Sequence, residues 1–237
     1  MDPPDLAPLF TALQDDQYRV WWQAERTLLG LSDPAAVPSL LAGLAIPGCR
    51  VRAVVARMLG ALGDRRAVEP LIALLKTGEC GDVRFNVRAE AAKALGQLGD
   101  ARAVEPLMAS LADDDGATRT SALEALGRLG DQRAVEPLLA ELEPLRRAPT
   151  VSGSAPADPA ARWLAIYRYY VIRALGKLGD PRAVSLLEWI RAHEHEPVLK
   201  GKSLGDMATV ALRRIAERTA QEAGGELPLV GLPQDPA

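Results

Sequence analysis

The chain is poor in the side chains most often used for chemistry. Its 237 residues include two histidines, two cysteines and only 4% aromatics. His193 and His195 stand at i, i+2 and fall on different helix faces, whereas a zinc-binding helix needs i, i+4. They sit where a helix should end, so a helix-end loop is expected there and no metal or other cofactor. Cys49 and Cys80 are too few for a disulfide framework and fit a reducing compartment. No apolar run approaches the roughly eighteen residues of a membrane-spanning helix, so no membrane association is expected. The start, Met1-Asp2-Pro3-Pro4-Asp5, lacks the basic residues and apolar run of a signal peptide. A cytoplasmic location is the expectation. A formal charge of −3 and a pI near 5.6 argue against a dedicated nucleic-acid binder.

Two further motifs fail. Gly201-Lys202-Ser203 resembles the end of a phosphate-binding loop, but that loop needs Gly where Glu196 stands, and no strand precedes it. Ser152-Gly153-Ser154 lies in a Pro/Ser/Ala-rich stretch rather than on the strand-to-helix turn of a nucleophile elbow.

What is abundant is apolar and small: 48% of residues are hydrophobic, mainly Ala, Leu and Val, which suit closely packed helices. These residues repeat. LGALGDRRAVEPL begins at Leu59, LGQLGDARAVEPL at Leu95, LGRLGDQRAVEPL at Leu126 and LGKLGDPRAVSLL at Leu175. A degenerate copy begins at Leu28 and carries Ser32-Asp33-Pro34. The marker aspartates Asp33, Asp64, Asp100, Asp131 and Asp180 are separated by 31, 36, 31 and 49 residues. The unit is therefore 31 residues, with two insertions.

Each unit reads as two helices. Gly supplies a left-handed stop and Asp caps the next N-terminus. The helix that follows carries Pro70 or its equivalent early, where a missing N–H has no intrahelical partner. Val68, Leu71, Ile72, Leu74 and Leu75 form its buried stripe. The second helix is alanine-rich. Gly60, Gly96, Gly127 and Gly176 share one position near its end. Gly there costs roughly 1 kcal/mol relative to Ala, so its recurrence predicts close backbone contact.

Continuing the period outward predicts six antiparallel pairs: 4–14 with 17–31, 34–45 with 50–62, 65–76 with 83–98, 101–112 with 116–129, 132–143 with 160–178, and 181–192 with 203–219. Residues 1–220 are read as one solenoid with atypical ends. Residues 144–160 form a flexible insertion, and 221–237 a disordered tail.

The x-Leu-Gly-x-Leu-Gly-Asp-x-Arg-Ala-Val signature resembles HEAT repeats of the phycobilisome-lyase HEAT-like type over about residues 5–219. The resemblance implies an all-α, right-handed α-solenoid whose second helices line a concave face. It also implies that Arg52, Arg88, Arg119 and Arg168 pair with a neighbour's marker aspartate, Asp64, Asp100 or Asp131. Iron-binding deoxyhypusine hydroxylase is another HEAT-like protein, but its His-Glu ligand positions correspond here to Trp22, Ala53, Ala89, Thr120 and Tyr169, which excludes that activity. Neighbouring repeats stand about 10 Å apart, beyond the 7 Å limit for a disulfide, so both cysteines are expected to be free thiols.

A second column, Arg26, Arg57, Lys93, Glu124 and Arg173, should face the groove. Aromatics gather at its two ends: Trp21 and Trp22, then Trp163, Tyr167, Tyr169 and Tyr170. Trp, Tyr and Arg are enriched at binding hot spots. The expected partner-binding groove is thus Trp21, Trp22, Arg26, Arg57, Lys93, Arg173, Tyr169 and Tyr170. Its partner is expected to be another protein, offering an acidic segment. The function expected is a non-enzymatic adaptor without catalytic residues. The family resemblance implies an alternative, a bilin (tetrapyrrole) lyase or isomerase-like subunit. Nucleic-acid binding along the basic column is a distant third.

Overall fold

The computed structural model describes residues 4–78, 85–147, 159–195, 197–199 and 201–223. They form two compact units, Met1–Leu129 and Gly130–Ala237. The first holds four helical hairpins: α1 (Ala7–Leu13) with α2 (Tyr18–Leu29), α3 (Val37–Gly43) with α4 (Cys49–Leu62), α5 (Val68–Thr77) with α6 (Val87–Leu98), and α7 (Val104–Ala109) with α8 (Gly116–Leu129). The second holds α9 (Val135–Arg147) with α10 (Pro159–Leu178), and α11 (Val184–His193) with α12 (Leu204–Glu222). Within each unit the hairpins stack, as an α-solenoid requires. The six predicted pairs are all present.

The repeated signature works locally. Gly63, Gly99, Gly130 and Gly179 adopt φ of 74°, 67°, 70° and 70°, the left-handed conformation that ends a helix cheaply only at Gly. The following aspartate accepts the N–H two residues on: Asp33 from Ala35 at 2.9 Å, Asp64 from Arg66 at 2.8 Å and Asp100 from Arg102 at 3.0 Å. Asp131 and Asp180 do the same at 3.0 and 2.8 Å. These caps start a short 3₁₀ turn, such as Arg65–Ala67, and the α-helix proper begins at the next valine.

The marker aspartates do not form the expected ladder with Arg52, Arg88, Arg119 and Arg168. Each of four instead takes the guanidinium two residues on. Arg66 binds Asp64 through Nη2 at 2.7 Å, and Arg102, Arg133 and Arg182 bind Asp100, Asp131 and Asp180 in the same way. The turn places that arginine directly over its own carboxylate, so the local partner wins over one a repeat away. Arg102 and Arg182 then reach back to Glu69 and Glu136 of the preceding pair, at 3.0 and 2.8 Å. Arg88 bonds Asp113 and Asp114 in the α7–α8 turn, both at 2.9 Å. The guanidinium hydrogen bonds hold the Asp100 carboxyl down at about 2, and lower Asp64, Asp131 and Asp180.

Gly60, Gly96 and Gly176 of the glycine column do what its recurrence predicts. A Cβ on Gly60 would lie 2.7 Å from Ala94 Cα, one on Gly96 2.7 Å from Ala125 Cα, and one on Gly176 2.7 Å from Ala211 Cα. Small residues let α4 nest on α6, α6 on α8, and α10 on α12.

Three local readings need revision. α9 continues through Pro144 to Arg147 rather than ending before residue 144. A proline inside a helix costs about 3 kcal/mol, but Leu142 and Leu145 extend a fully buried stripe from Leu138, each contributing about 1.5–3 kcal/mol. Residues 148–158 of the predicted insertion, and 224–237 of the predicted tail, lie outside the described residues. The final hairpin also carries a two-stranded antiparallel ribbon, β1 (Pro197–Leu199) and β2 (Lys202–Ser203), in place of a plain turn. Finally, Cys49 is not a free thiol but disulfide-bonded; Cys80 lies outside the described residues. The 10 Å spacing applies to helix axes. Cys49 begins α4 at the turn end, where connecting segments are not held to that distance.

A candidate binding surface on the second helix

The candidate surface is built on α2. In the interior second helices, the face toward the next hairpin carries small residues at i, i+3 and i+7. They are Ala53, Ala56 and Gly60 on α4, and Ala89, Ala92 and Gly96 on α6. Ala53 and Ala89 are 1% and 2% exposed. The equivalent positions of α2 hold Trp22, Glu25 and Leu29. A leucine cannot nest where a methyl group alone would touch a facing backbone, so α2 meets α4 sparsely. Tyr18, Trp22 and Leu29 consequently stand 62%, 41% and 43% exposed.

These side chains form a ladder along one helix face. Tyr18 stacks on Trp22 with ring centroids 6.3 Å apart and planes 21° from parallel. On the next turn, Arg26 Cζ lies 4.9 Å from the Trp22 ring centroid. A cation over an exposed ring is worth about 0.5–1 kcal/mol, a hold that a stronger partner can displace. The expected groove residues Trp22 and Arg26 are therefore both present and accessible.

The other expected residues have structural work or existing partners. Trp21 is half-buried, edge-on to Tyr18 at 5.0 Å and to Phe85 at 6.3 Å. Arg50 lies over both Trp21 (4.4 Å) and Phe85 (5.1 Å), while its Nη1 donates to the carbonyls of Leu13 and Asp15 at 2.6 and 3.0 Å. This latch ties the α1–α2 turn to the third hairpin. Arg57 bonds Glu25 at 3.0 Å on one side and Glu90 at 3.3 Å on the other; Lys93 bonds Glu90 at 2.8 Å. Two glutamates thus offset the cations on which an acidic segment would have relied. In the second unit, Tyr169 and Tyr170 pack edge to face at 5.8 Å and are half-buried. Arg173 shares α10 with them.

The sequence reading missed Glu25, Glu90, Arg50 and Leu29. Glu90 could have been found from its i, i+3 relation to Lys93, and Leu29 from the break it makes in the glycine column. Arg50 gave no sequence signal, because its aromatic partners come from two distant segments. His193 stacks on Trp189 with centroids 4.5 Å apart, and His195 Nε2 lies 3.1 Å from the Ala192 carbonyl; both sit at the end of α11. No group of three or more potential metal ligands occurs among the described residues. Nor is any helix of the described residues long and apolar enough to cross a membrane.

Comparison with known proteins agrees with this geometry. The HEAT-repeat family model matches residues 6–86 and 80–148, and that of the PBS lyase HEAT-like repeat matches 167–190. Bilin biosynthesis protein PecE of Mastigocladus laminosus is 42% identical over 79 residues, 30% of this chain and 29% of that protein. PecE of a Nostoc species is 40% identical over 79 residues, 30% of this chain and 31% of its own. The match thus spans under a third of the length of these relatives. The crystal structure of an engineered protein superposes with a TM-score of 0.51 at 19% identity, covering 94% of this chain and 98% of that one. By its matched repeats, its glycine-nested second helices and its Gly-Asp caps, the chain belongs to the HEAT-repeat family, with the signature of the PBS lyase HEAT-like repeat.

Proposed function

We propose that this protein is a bilin-handling subunit that binds an open-chain tetrapyrrole and has no turnover of its own. The observation that carries the reading is the 42% identity over 79 residues with a bilin biosynthesis protein. The engineered protein keeps the fold at 19% identity, so the architecture does not by itself demand residue identity at the PecE level. The exposed aromatics of the first unit suit a conjugated ligand chemically. Mixing the purified protein with biliverdin tests the proposal. The expected result is a shifted visible band with induced circular dichroism. An unshifted spectrum at high protein concentration removes the reading.

A protein-binding adaptor is the second reading, favoured by the face that the nested helices α4, α6 and α8 present side by side. With Arg57 and Lys93 offset by Glu25 and Glu90, its partner would need more than acidity. Recovery of a partner by pull-down should fall with Arg57→Glu on α4 or Lys93→Glu on α6. Unchanged recovery with both would count against this surface.

A further inference from the structure

We infer that the Tyr18–Trp22–Arg26 ladder on α2 is the seat of a conjugated, carboxylate-bearing ligand. The inference rests on the bilin reading above and names the residues that would serve it. Three independent features of the first unit point to this place.

First, Trp22, Glu25 and Leu29 fill positions that are Ala, Ala and Gly on both α4 and α6. The change enlarges all three positions together on one helix face. It keeps α2 from nesting and leaves a shelf of aromatic and aliphatic surface open to solvent.

Second, the cations divide by partner. Arg57 and Lys93 are engaged by glutamates, and Arg50 by two backbone carbonyls and two rings. Arg26 rests on the Trp22 ring. A guanidinium in that position can swing to a ligand carboxylate, and the ring face it leaves can take the ligand's conjugated plane. The exchange replaces a weak exposed cation–π contact with ring stacking and a charge-assisted hydrogen bond.

Third, the shelf is held from behind. Trp21 is locked by Phe85 and Arg50, and Arg50 also anchors the α1–α2 turn. The ladder therefore stands on a braced helix, and less ordering is required when a ligand binds.

The test titrates the 237-residue chain with biliverdin and with its dimethyl ester, following the visible band. Trp22→Ala should weaken biliverdin binding about tenfold or more, and Arg26→Ala by several-fold to about tenfold. Wild type should bind the ester more weakly than the free acid, whereas Arg26→Ala should bind both alike, because the carboxylate's partner is gone. Met58 holds on α4 the position at which Ala94 and Ala125 meet the glycines of the preceding helices, so the double change Leu29→Gly with Met58→Ala should let α2 settle on α4, shift tryptophan emission to the blue and weaken binding. Far-UV circular dichroism of each variant checks that the fold persists. Wild-type binding with undiminished affinity in both Trp22→Ala and Arg26→Ala overturns the inference while leaving the bilin reading intact. Loss confined to Trp163→Ala or Tyr170→Ala does the same and moves the site to the second unit. No binding by wild type overturns both.

Discussion

The junction between α2 and α4 and the junctions among α4, α6 and α8 are made from the same repeat, yet they behave differently. In the interior, Gly60 and Gly96 bring backbones so close that an added methyl would sit 2.7 Å from the facing alanine. At the first junction, Leu29 occupies the glycine position, Trp22 and Glu25 replace alanines, and the aromatic side chains stay in solvent. An interior junction stabilises by contact. The first junction gives up part of that contact and keeps a surface. The lesson is that in a repeat protein, departures from the consensus mark the places where something other than stacking is being done.

The comparison can be broken most forcefully by exchanging the residues. Gly96→Leu drives a side chain into the backbone of α8, and overpacking of this kind costs about 1–3 kcal/mol or more. Urea denaturation should show a fall in the midpoint at the top of that range, or loss of the cooperative transition. An unchanged midpoint would mean that the close approach is not obligatory.

The caps come next. Asp100→Ala removes the acceptor for Arg102 N–H and the partner of its guanidinium, and loss of an N-cap costs about 1 kcal/mol. Arg102 would keep Glu69, so the effect should be smaller than for Gly96→Leu. Both can be measured in one denaturation series.

The capping aspartates also set an acid dependence. Their carboxyls are held below the ordinary value of 3.8, Asp100 at about 2, by the paired guanidiniums and backbone N–H groups. A group whose folded pKa is depressed stabilises the native state above its unfolded value and loses that contribution as pH falls through the folded value. Stability should therefore be level above about pH 5 and decline between about pH 4 and 2. The carboxylates are half-buried, and Asp180 is buried, but their arginine partners stand half in water, so each pair contributes modestly. A series in which Asp64, Asp100 and Asp131 become Asn should flatten the decline in thermal melts.

The smallest effect belongs to the first junction. Leu29→Ala should change stability by less than about 0.5 kcal/mol, the usual range for an exposed position away from special features. A loss of several kcal/mol would show that Leu29 stabilises the stack after all, and the contrast with Gly96 would collapse.

How much of this was legible in the sequence depends on the range of the interaction. Gly63-Asp64 and its copies were readable because a left-handed glycine and a capping carboxylate act within three residues. The helix pairs followed from the spacing of those markers. The groove was read less well. The column containing Arg57 and Lys93 looked cationic because its acidic neighbours, Glu25 and Glu90, lie on other turns or other helices. The fate of Cys49 escaped for the same reason.

By itself, the order of residues determined that the chain makes six helical hairpins, where most of their helices start and stop, and that Gly60, Gly96 and Gly176 touch a neighbour. Those outcomes depend on backbone conformation and on a period that repeats every 31 residues. Only the tertiary structure decided which cations are already neutralised, that Arg50 is clasped between Trp21 and Phe85, and that α2 keeps its aromatic face in water. The Arg57 ion pairs and the Arg50 contacts join side chains about thirty residues apart, and their energies depend on distances that stacking alone sets.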